Sequence, residues 1–333
     1  MRCARLALAL GFAAVIAPPR PDDPLVSVVV PVLDEEDCIA ELARRVSAAA
    51  HTARVRLELI FVDDGSVDET PLRIAALRTH DANIKSIRLT RSFGHQSALL
   101  AGLHFAKGDA VVTMDGDLQH PPELLPRLLE VWRGGADIVH TIRRTSDRAP
   151  QDWKARTSAL FYRLMNRLAG VSVPPGAADF RLLDRRVVAA LNQLPEHFAF
   201  LRGLIPWLGF PDAQIEYEVA ARFAGRSKYD VWRMLRLALD GILSFSVVPL
   251  RLIALLGLAT TLVGIAYGIF ALIAQMMGHV QTGWTSLVVL VLVFGGVQLL
   301  SVGILSEYVG RTYEEAKRRP RYVIDRLEGI EWR

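Results

Sequence analysis

The segment Val112–Glu123, VTMDGDLQHPPE, ends a short β-branched run and passes directly into a turn in which two aspartates flank a glycine. The predicted strand ends at Met114, and Asp115 and Asp117 follow on either side of Gly116. Glycine permits a sharp backbone turn that brings two carboxylates together, and hard divalent cations prefer carboxylate oxygens. The segment therefore predicts a cation site at the end of a strand. A solvated acidic turn is the alternative that the motif alone leaves open.

Short apolar runs and helical stretches alternate on both sides of this segment. The predicted strands are Val26–Val30, Leu57–Val62, Ile84–Leu89, Ala110–Met114 and Asp137–Ile142. The predicted helices are Ile39–Ala50, Glu69–Arg78, Gln96–Phe105, Pro122–Arg133, Trp153–Leu168 and Arg185–Leu194. Apolar strands separated by helices indicate a Rossmann-like α/β domain with a parallel sheet covered on both faces. Ligands bind such sheets at the carboxyl ends of the strands, where this sequence concentrates its acids.

Two further acidic segments follow predicted strands. In Phe61–Asp68, FVDDGSVD, a carboxylate can accept a hydrogen bond from a nucleobase N–H. The same segment suits a helix N-cap at Ser66 or Asp68, and we expect both roles, with Asp64 in the binding one. In Val30–Asp37, VPVLDEED, the acidic loop is predicted to cover a nucleoside, and an ordinary acidic cap is the alternative.

Two segments downstream suit an anionic acceptor. Gly176–Arg185, GAADFRLLDR, carries the isolated acid Asp179, which a mobile loop would bring to the acceptor side of the site. Arg222–Tyr229, RFAGRSKY, combines cations, a hydroxyl and a glycine, a combination that suits phosphate. Attraction of the same cations to anionic lipid headgroups is the alternative explanation.

The composition excludes a purely soluble protein. Hydrophobic residues make up 51% of the chain and the mean hydropathy is +0.26. Between Arg251 and Glu307 lie roughly 55 residues without Asp, Glu, Lys or Arg, enough for two bilayer crossings of about 20 residues each. The predicted spans are Leu250–Met276 and Trp284–Ser306, and Tyr229–Phe245 is predicted to be an amphipathic helix on the membrane surface. Because Lys and Arg flank the pair on both sides, we expect both flanks in the cytoplasm.

Other features exclude or leave open further classes. A net charge of +4 without a basic stripe that alternates with aromatics argues against nucleic acid. Cys3 and Cys38 make neither a disulfide framework nor a metal knuckle. Leu6–Ala17 resembles a signal-peptide core, and a loose tail, a surface anchor or an upstream start codon are the alternatives. Glycines in the predicted spans suit packing in a homo-oligomer or within one bundle; they are Gly264, Gly268, Gly295 and Gly296.

Seven segments, in order, resemble the polyprenyl-phosphate glycosyltransferases of glycosyltransferase family 2. That group includes dolichol-phosphate mannosyltransferases and bacterial undecaprenyl-phosphate glucosyl- and aminoarabinosyl-transferases. The segments are PVLDEED, VDDGS, RSFGHQSALLAGL, MDGDLQHPPE, GAADFRLLDR, RFAGRSKY and SEYVGRTYEEAKRRPRY, and they run from about residue 25 to 325. The resemblance implies a GT-A fold, a nucleotide-sugar donor, a divalent cation (Mg²⁺ or Mn²⁺) and inversion at the anomeric carbon.

The resemblance also implies roles for individual residues. On the donor side it assigns Pro31, Glu35, Asp63, Asp64, Asp115, Gly116 and Asp117. Asp115 and Asp117 match the metal-binding pair, with Gln119 as a further metal contact. Asp179 matches the acid that acts as base or orients the acceptor, and together with Asp117 it forms the predicted catalytic pair. The residues near positions that contact the lipid phosphate are Arg143, Lys154, Arg156, Ser158, Arg222, Ser227 and Lys228.

The sequence thus predicts transfer of a hexose, with glucose from UDP-glucose favoured, to undecaprenyl phosphate at the cytoplasmic face of a cell inner membrane. A GDP-mannose or amino-sugar donor is one alternative, and a non-catalytic membrane anchor or partner subunit is another. The predicted organisation is an N-terminal extension at 1–24, a GT-A domain at 25–228, a juxtamembrane amphipathic helix at 229–249, two transmembrane helices at 250–306 and a basic cytoplasmic segment at 307–333.

Overall fold

The computed structural model describes residues 20–143, 177–194, 196, 200–217, 247–277 and 283–331. These residues fall into two compact units. The first comprises the described residues up to 217 together with 320–331, and the second comprises those from 247 to 319. The predicted helices Trp153–Leu168 and Tyr229–Phe245 lie outside the described residues.

One mixed sheet of eight strands forms the centre of the first unit. The strands are β1 (Leu25–Val32), β2 (Arg56–Asp63), β3 (Ile84–Leu89), β4 (Ala110–Thr113), β5 (Ile138–Arg143), β6 (Ala177–Asp184), β7 (Asp212–Tyr217) and β8 (Ile324–Glu328). Their order is β7-β5-β6-β4-β1-β2-β3-β8. β1 pairs in parallel with β2 and β4, and β2 pairs in parallel with β3, so the carboxyl ends of these four strands share one edge.

Helices pack on the sheet through apolar residues that repeat with helical spacing. They are α1 (Ile39–Ala53), α2 (Thr70–His80), α3 (His95–Phe105), α4 (Leu125–Arg133), α5 (Arg185–Gln193) and α6 (Leu201–Trp207), with a 3₁₀ turn at Pro122–Leu124 before α4. In α1, for example, Ile39, Leu42 and Val46 are buried, because residues three and four apart share one helix face. The central strands β1, β2 and β4 are buried almost throughout, as both faces of the sheet are covered.

Two strands distinguish this sheet from the wholly parallel sheet that the sequence pattern predicts. β6 runs antiparallel to both β4 and β5, and β8 runs antiparallel to β3 at the edge of the sheet. Neither has the continuous apolar run of the central strands: β6 reads AADFRLLD and β8 reads IDRLE. The α/β class is confirmed, and the sheet within it is mixed.

The C-terminal residues 320–331 complete the first unit. The backbone N–H of Thr90, just after β3, donates to the carbonyl oxygen of Val323 over 3.0 Å. Arg78, in α2, forms an ion pair with Glu328 in β8. Part of the segment that the sequence analysis described only as basic and cytoplasmic is therefore a strand of the sheet.

The second unit consists of two long apolar helices, α7 (Val248–Met276) and α8 (Trp284–Ala316). Within them, Val248–Ala271 and Val289–Ala316 are long and apolar enough to cross a membrane, each containing an 18-residue stretch with a mean hydropathy of 2.1 and 2.3, respectively. Both predicted spans are present as helices. The second continues past its predicted end because the helical pattern extends into the polar residues that follow Ser306.

Candidate active site

The sheet brings the predicted acids to one edge. β2 is followed by Asp64, and β4 ends two residues before Asp115. In the antiparallel pair of β4 and β6, Thr113 lies opposite Arg181, and the Thr113 hydroxyl donates to the carbonyl oxygen of Asp179 over 2.5 Å. Because β6 runs opposite to β4, its amino end lies at the carboxyl ends of the parallel strands. Asp179 thus reaches the site from a strand, whereas the sequence analysis expected a mobile loop.

Gly116 allows the acidic turn to pack directly on the end of β1. A Cβ atom at this position would lie 2.9 Å from Cγ1 of Val32 and 3.5 Å from the carbonyl oxygen of Pro31. Two residues later, the buried Leu118 has a φ of 60°, in the left-handed region. A residue other than glycine in that region stores about 1–3 kcal/mol of strain, and such strain concentrates at functional turns.

Two histidines hold Asp115. Nε2 of His95, the first residue of α3, lies 2.9 Å from Oδ1 of Asp115, and the Asp115 backbone N–H donates to Nδ1 of His120 over 3.1 Å. Burial by itself raises the pKa of Asp115, but the hydrogen bond from His95 and the charges of His120 and His95 together outweigh it and hold the pKa below its usual range. The protein that partly surrounds the ring lowers the pKa of His95, and the hydrogen bond to Asp115 together with the charges of Asp115 and Asp179 more than reverses that effect. Asp115 is therefore an ionised carboxylate with one oxygen engaged by His95.

Asp117 lies close to the loop that follows β1. Its Oδ1 accepts a hydrogen bond from the backbone N–H of Gln119 over 3.1 Å. Burial, the neighbouring Glu35 and, more weakly, Asp117 raise the pKa of the Cys38 thiol to about 11. Glu35 also approaches the acidic turn, since a Cβ at Gly116 would lie 3.8 Å from its Cγ. The predicted donor residues of the first loop and of the acidic turn are thus neighbours.

Asp64 fixes the loop between β3 and α3. Its carboxylate is 3% exposed and accepts three hydrogen bonds, from Oγ of Ser92 at 2.7 Å, from the N–H of Phe93 at 2.8 Å and from the N–H of Gly94 at 3.0 Å. Both of its oxygens are used. Asp64 therefore stabilises the loop between β3 and α3. Its role in base recognition stays a prediction.

Asp63 holds the turn after β2. Its Oδ1 accepts from the backbone N–H of Ser66 at 2.7 Å, its Oδ2 lies 3.4 Å from Nε of Arg88, and burial raises its pKa. The expected N-cap at Ser66 or Asp68 is wrong, because the N-cap residue of α2 is Glu69, which makes no side-chain capping hydrogen bond. Asp68 instead accepts, through Oδ1, from the N–H of Thr70, the first residue of the helix, at 2.9 Å. Asp63, at the end of β2, and Asp68, after it, thus stabilise the local backbone.

Two arginines form ion pairs with Asp179, which is 6% exposed. Nη2 of Arg181 lies 2.5 Å from Oδ1, and Arg202 of α6 places Nη2 at 2.8 Å from Oδ2 and Nε at 3.1 Å from Oδ1. Burial by itself raises the pKa of Asp179, but the charges of Arg202 and Arg181 outweigh it and hold the pKa well below its usual range. Asp179 is a charged hydrogen-bond acceptor and a weak base.

The acidic turn suits a hard divalent cation whose ligands come partly from the protein and partly from a substrate. Asp115 and Asp117 are both partly exposed and supply carboxylate oxygens from a strand-end turn. Within the described ranges, no three His, Cys, Asp or Glu side chains converge on one point as a ready-made metal cluster. A small divalent cation commonly binds through one or two carboxylates and completes its shell with substrate phosphates and water, so this donor set fits such an ion.

The structure leaves part of the predicted acceptor side untested. Arg143 is the last residue of β5, whose carboxyl end lies at the same edge of the sheet. The other predicted phosphate contacts lie outside the described residues; they are Lys154, Arg156, Ser158, Arg222, Ser227 and Lys228.

Four contributors to the site have no role predicted from the sequence. They are His95, His120, Arg181 and Arg202, which contact Asp115 or Asp179. The motifs contained three of them: His95 in the RSFGHQ segment, His120 in the MDGDLQHPPE segment and Arg181 in the GAADFRLLDR segment. Arg202 follows a region without a recognisable motif, and only the tertiary fold reveals its partner.

Comparison with family models gives two matches. The model described as glycosyl transferase family 2 matches residues 27–191, and the model described as GtrB C-terminal hairpin matches residues 248–312. The first covers the parallel strands and the acidic turn, and the second covers α7 and most of α8. Both agree with the family and the GT-A class that the seven motifs indicate.

Comparison with individual proteins gives relatives along almost the whole chain. A bactoprenol glucosyl transferase of Shigella phage SfV is 40% identical over 301 residues, covering 90% of this chain and 97% of that protein. A prophage bactoprenol glucosyl transferase homologue of Escherichia coli K12 is 38% identical over 305 residues, covering 91% and 99%. Among solved structures, glucosyl-3-phosphoglycerate synthase of Mycobacterium tuberculosis, in complex with Mn²⁺, UDP and phosphoglyceric acid, is 23% identical with a TM-score of 0.49, covering 66% of this chain and 78% of that one.

Proposed function

Because the chain belongs to glycosyltransferase family 2, we propose that this glycosyltransferase transfers glucose from UDP-glucose to a polyprenyl phosphate such as undecaprenyl phosphate, with inversion at the anomeric carbon. The observation that carries the proposal is the convergence of Asp115 and Asp179 at the carboxyl edge of the sheet, in a chain that also has two helices able to cross a membrane. The phage relative, a bactoprenol glucosyl transferase, and the Escherichia coli homologue of such an enzyme support glucose and a polyprenyl acceptor.

On the donor side, Asp115 and Asp117 would hold a divalent cation, with Gln119 beside them. When bound, such a cation neutralises charge on a departing diphosphate. Asp115 is held ionised and oriented by His95, so it presents a carboxylate without rearrangement. Pro31 and Glu35 adjoin the turn and would line the nucleoside side, with Asp63 and Asp64 as the base-recognition acids.

On the acceptor side, the nucleophile would be a phosphate oxygen that is already ionised near neutral pH. Such a nucleophile needs little proton abstraction, so a strong general base is not required. The lowered pKa of Asp179 suits this chemistry, because the carboxylate acts by orienting cations and acceptor. The predicted phosphate contacts would hold the acceptor beside Asp179, as positioning of two reactants contributes much of the catalysis in such transfers.

The membrane location completes the proposal. Two apolar helices support membrane association of the protein. We place it in the cell inner membrane, with the sheet unit and the C-terminus on the cytoplasmic side where nucleotide sugars are made. The Lys and Arg residues on both flanks of the spans support that orientation.

The test uses the full chain in detergent or nanodiscs, radiolabelled UDP-glucose, Mg²⁺ or Mn²⁺, and undecaprenyl phosphate. We expect labelled lipid product from the wild type and loss of at least about 100-fold in rate for Asp117→Ala, because stabilisation of the leaving diphosphate is lost. Glu130→Ala, an exposed acid of α4, is the matched control and should keep full rate. Both variants should insert into membranes like the wild type.

The outcomes separate the alternatives. Transfer from GDP-mannose or an amino-sugar nucleotide, with none from UDP-glucose, would replace the proposed donor. Absence of transfer from any nucleotide sugar would contradict the proposal and favour a membrane anchor or partner subunit.

A further inference from the structure

His95 links the two acidic segments of the donor side. The loop before it is fixed by Asp64, whose carboxylate binds Ser92, Phe93 and Gly94. Gly94 then adopts a φ of 93°, in the region that favours glycine, and His95 begins α3. A chain of contacts therefore runs from the end of β2 through this loop to the acidic turn after β4.

The position of His95 is not explained by packing. Its side chain is 43% exposed, although its Nε2 lies 2.9 Å from Oδ1 of Asp115. His104, on the same helix, is also exposed and contacts no acid of the site. An exposed side chain contributes little to the core, so the contact with Asp115 is the feature that sets His95 apart.

Resting on the proposed function, we infer that His95 is a positioning residue for the donor site. Its hydrogen bond engages Oδ1 of Asp115 and thereby fixes the orientation of the carboxylate that would help to hold the cation. His120 accepts the backbone N–H of the same residue, so Asp115 is held at both its side chain and its backbone. Groups that orient a metal-binding side chain in this way typically change metal affinity about 10–100-fold when they are removed.

The test measures Mn²⁺ binding directly, in the presence of UDP and without acceptor. Free Mn²⁺ is quantified by electron paramagnetic resonance for the wild-type chain and for the variants H95L, H95Q and H104L. We expect H95L to weaken Mn²⁺ binding at least about tenfold, and H95Q, which keeps an N–H donor, to recover most of that loss. H104L makes the same change on the same helix and should bind like the wild type.

A second measurement separates positioning from a general structural effect. In the transfer assay, H95L should raise the KM for the nucleotide sugar and leave the KM for the polyprenyl phosphate unchanged. Its melting temperature should match that of H104L; should H95L fail to fold, H95A carries the same comparison.

Three results would overturn the inference. One is wild-type Mn²⁺ affinity in H95L, and another is equal loss in H95L and H95Q. The third is a ¹⁴N coupling to bound Mn²⁺ that disappears in H95L, because it would make His95 a direct ligand. If the wild type binds Mn²⁺ and UDP but transfers no sugar, the proposed function fails. The Mn²⁺-binding measurements then still test whether His95 positions the donor site.

Discussion

Arg202 and Asp179 form a bidentate ion pair, with Nη2 of Arg202 at 2.8 Å from Oδ2 and its Nε at 3.1 Å from Oδ1. Arg181 adds a second guanidinium from the same strand as the aspartate. Two cations thus meet one carboxylate, and Arg181 also lies within the field of the Asp115 carboxylate. Arg202 is the more exposed of the two cations, at 28%, so it is the one that the phosphate acceptor of the proposed reaction would reach.

Arg202→Lys should impair transfer more than binding of the donor. Lysine keeps the charge but cannot form the bidentate pair of hydrogen bonds with Asp179. Loss of one charge-assisted hydrogen bond costs about 1.5–3 kcal/mol. We expect kcat/KM for the lipid phosphate to fall roughly 10–100-fold, with Mn²⁺–UDP affinity unchanged. Arg44→Lys, at an exposed pair with Glu41, is the control and should have no effect. Unchanged lipid kinetics in the Arg202 variant would show that the pair is only structural.

Asp179 should stabilise the fold at neutral pH and lose that contribution in acid. Its folded-state pKa lies below the ordinary value of about 3.9, so the folded state binds fewer protons than the unfolded state as pH falls. The stabilisation is therefore complete above about pH 5 and declines as the pH falls below that range towards the folded-state pKa.

Melting temperatures of the wild type and Asp179→Asn between about pH 3 and pH 6 provide the measurement. The variant should be less stable near pH 6, and its melting temperature should fall less on acidification. Parallel curves for the two proteins would contradict the assigned charge state. The same lowered pKa predicts that, if the activity falls with acidification at around pH 6 or above, the group that titrates there is not Asp179.

Asp64→Asn should loosen the loop that carries His95. An amide nitrogen would face either the N–H of Phe93 or the donors of Ser92 and Gly94, leaving a buried donor against a donor. A mismatch of this kind costs about 1–3 kcal/mol. We expect a lower melting temperature and weaker Mn²⁺–UDP binding, both measured on the full chain. Asp81→Asn, which affects only the turn before β3, serves as the comparison.

The ion pair of Arg78 and Glu328 should anchor the C-terminal strand. Both side chains are less than a third exposed, and the pair joins residues 250 positions apart. A double-mutant cycle with alanine should give a coupling of about 0.5–1 kcal/mol in thermal or denaturant unfolding. The exposed pair of Glu69 and Arg73 at the start of α2 should give less than about 0.5 kcal/mol. Equal coupling energies for the two pairs would contradict the prediction that the Arg78–Glu328 ion pair anchors β8.

Local sequence was sufficient for the central strands and the membrane helices. Val28, Val30 and Phe61 occur in short β-branched or aromatic runs, and such runs are buried on both faces when helices cover a sheet. The long segment without charges predicts apolar helices, because an uncharged segment of that length requires a lipid environment or a large core. The acidic turn was also visible, since Gly116 marks the close approach of the backbone to β1.

The direction of β6 and the partners of the acids required the tertiary structure. The sequence of β6 contains Asp179 and Arg181 among apolar residues and does not reveal which strand it pairs with or in which direction. Arg202 lies 23 residues beyond Asp179 in sequence, so their contact depends on how α6 packs.

The sequence by itself determined the α/β class, the two spans and the acids at the strand ends, because periodicity and hydropathy act within a few residues. Only the tertiary structure decided that His95 contacts Asp115, that two arginines form ion pairs with Asp179 and that the C-terminus returns to the sheet. Those properties depend on distances between residues far apart in the chain, and strand order and direction determine such distances.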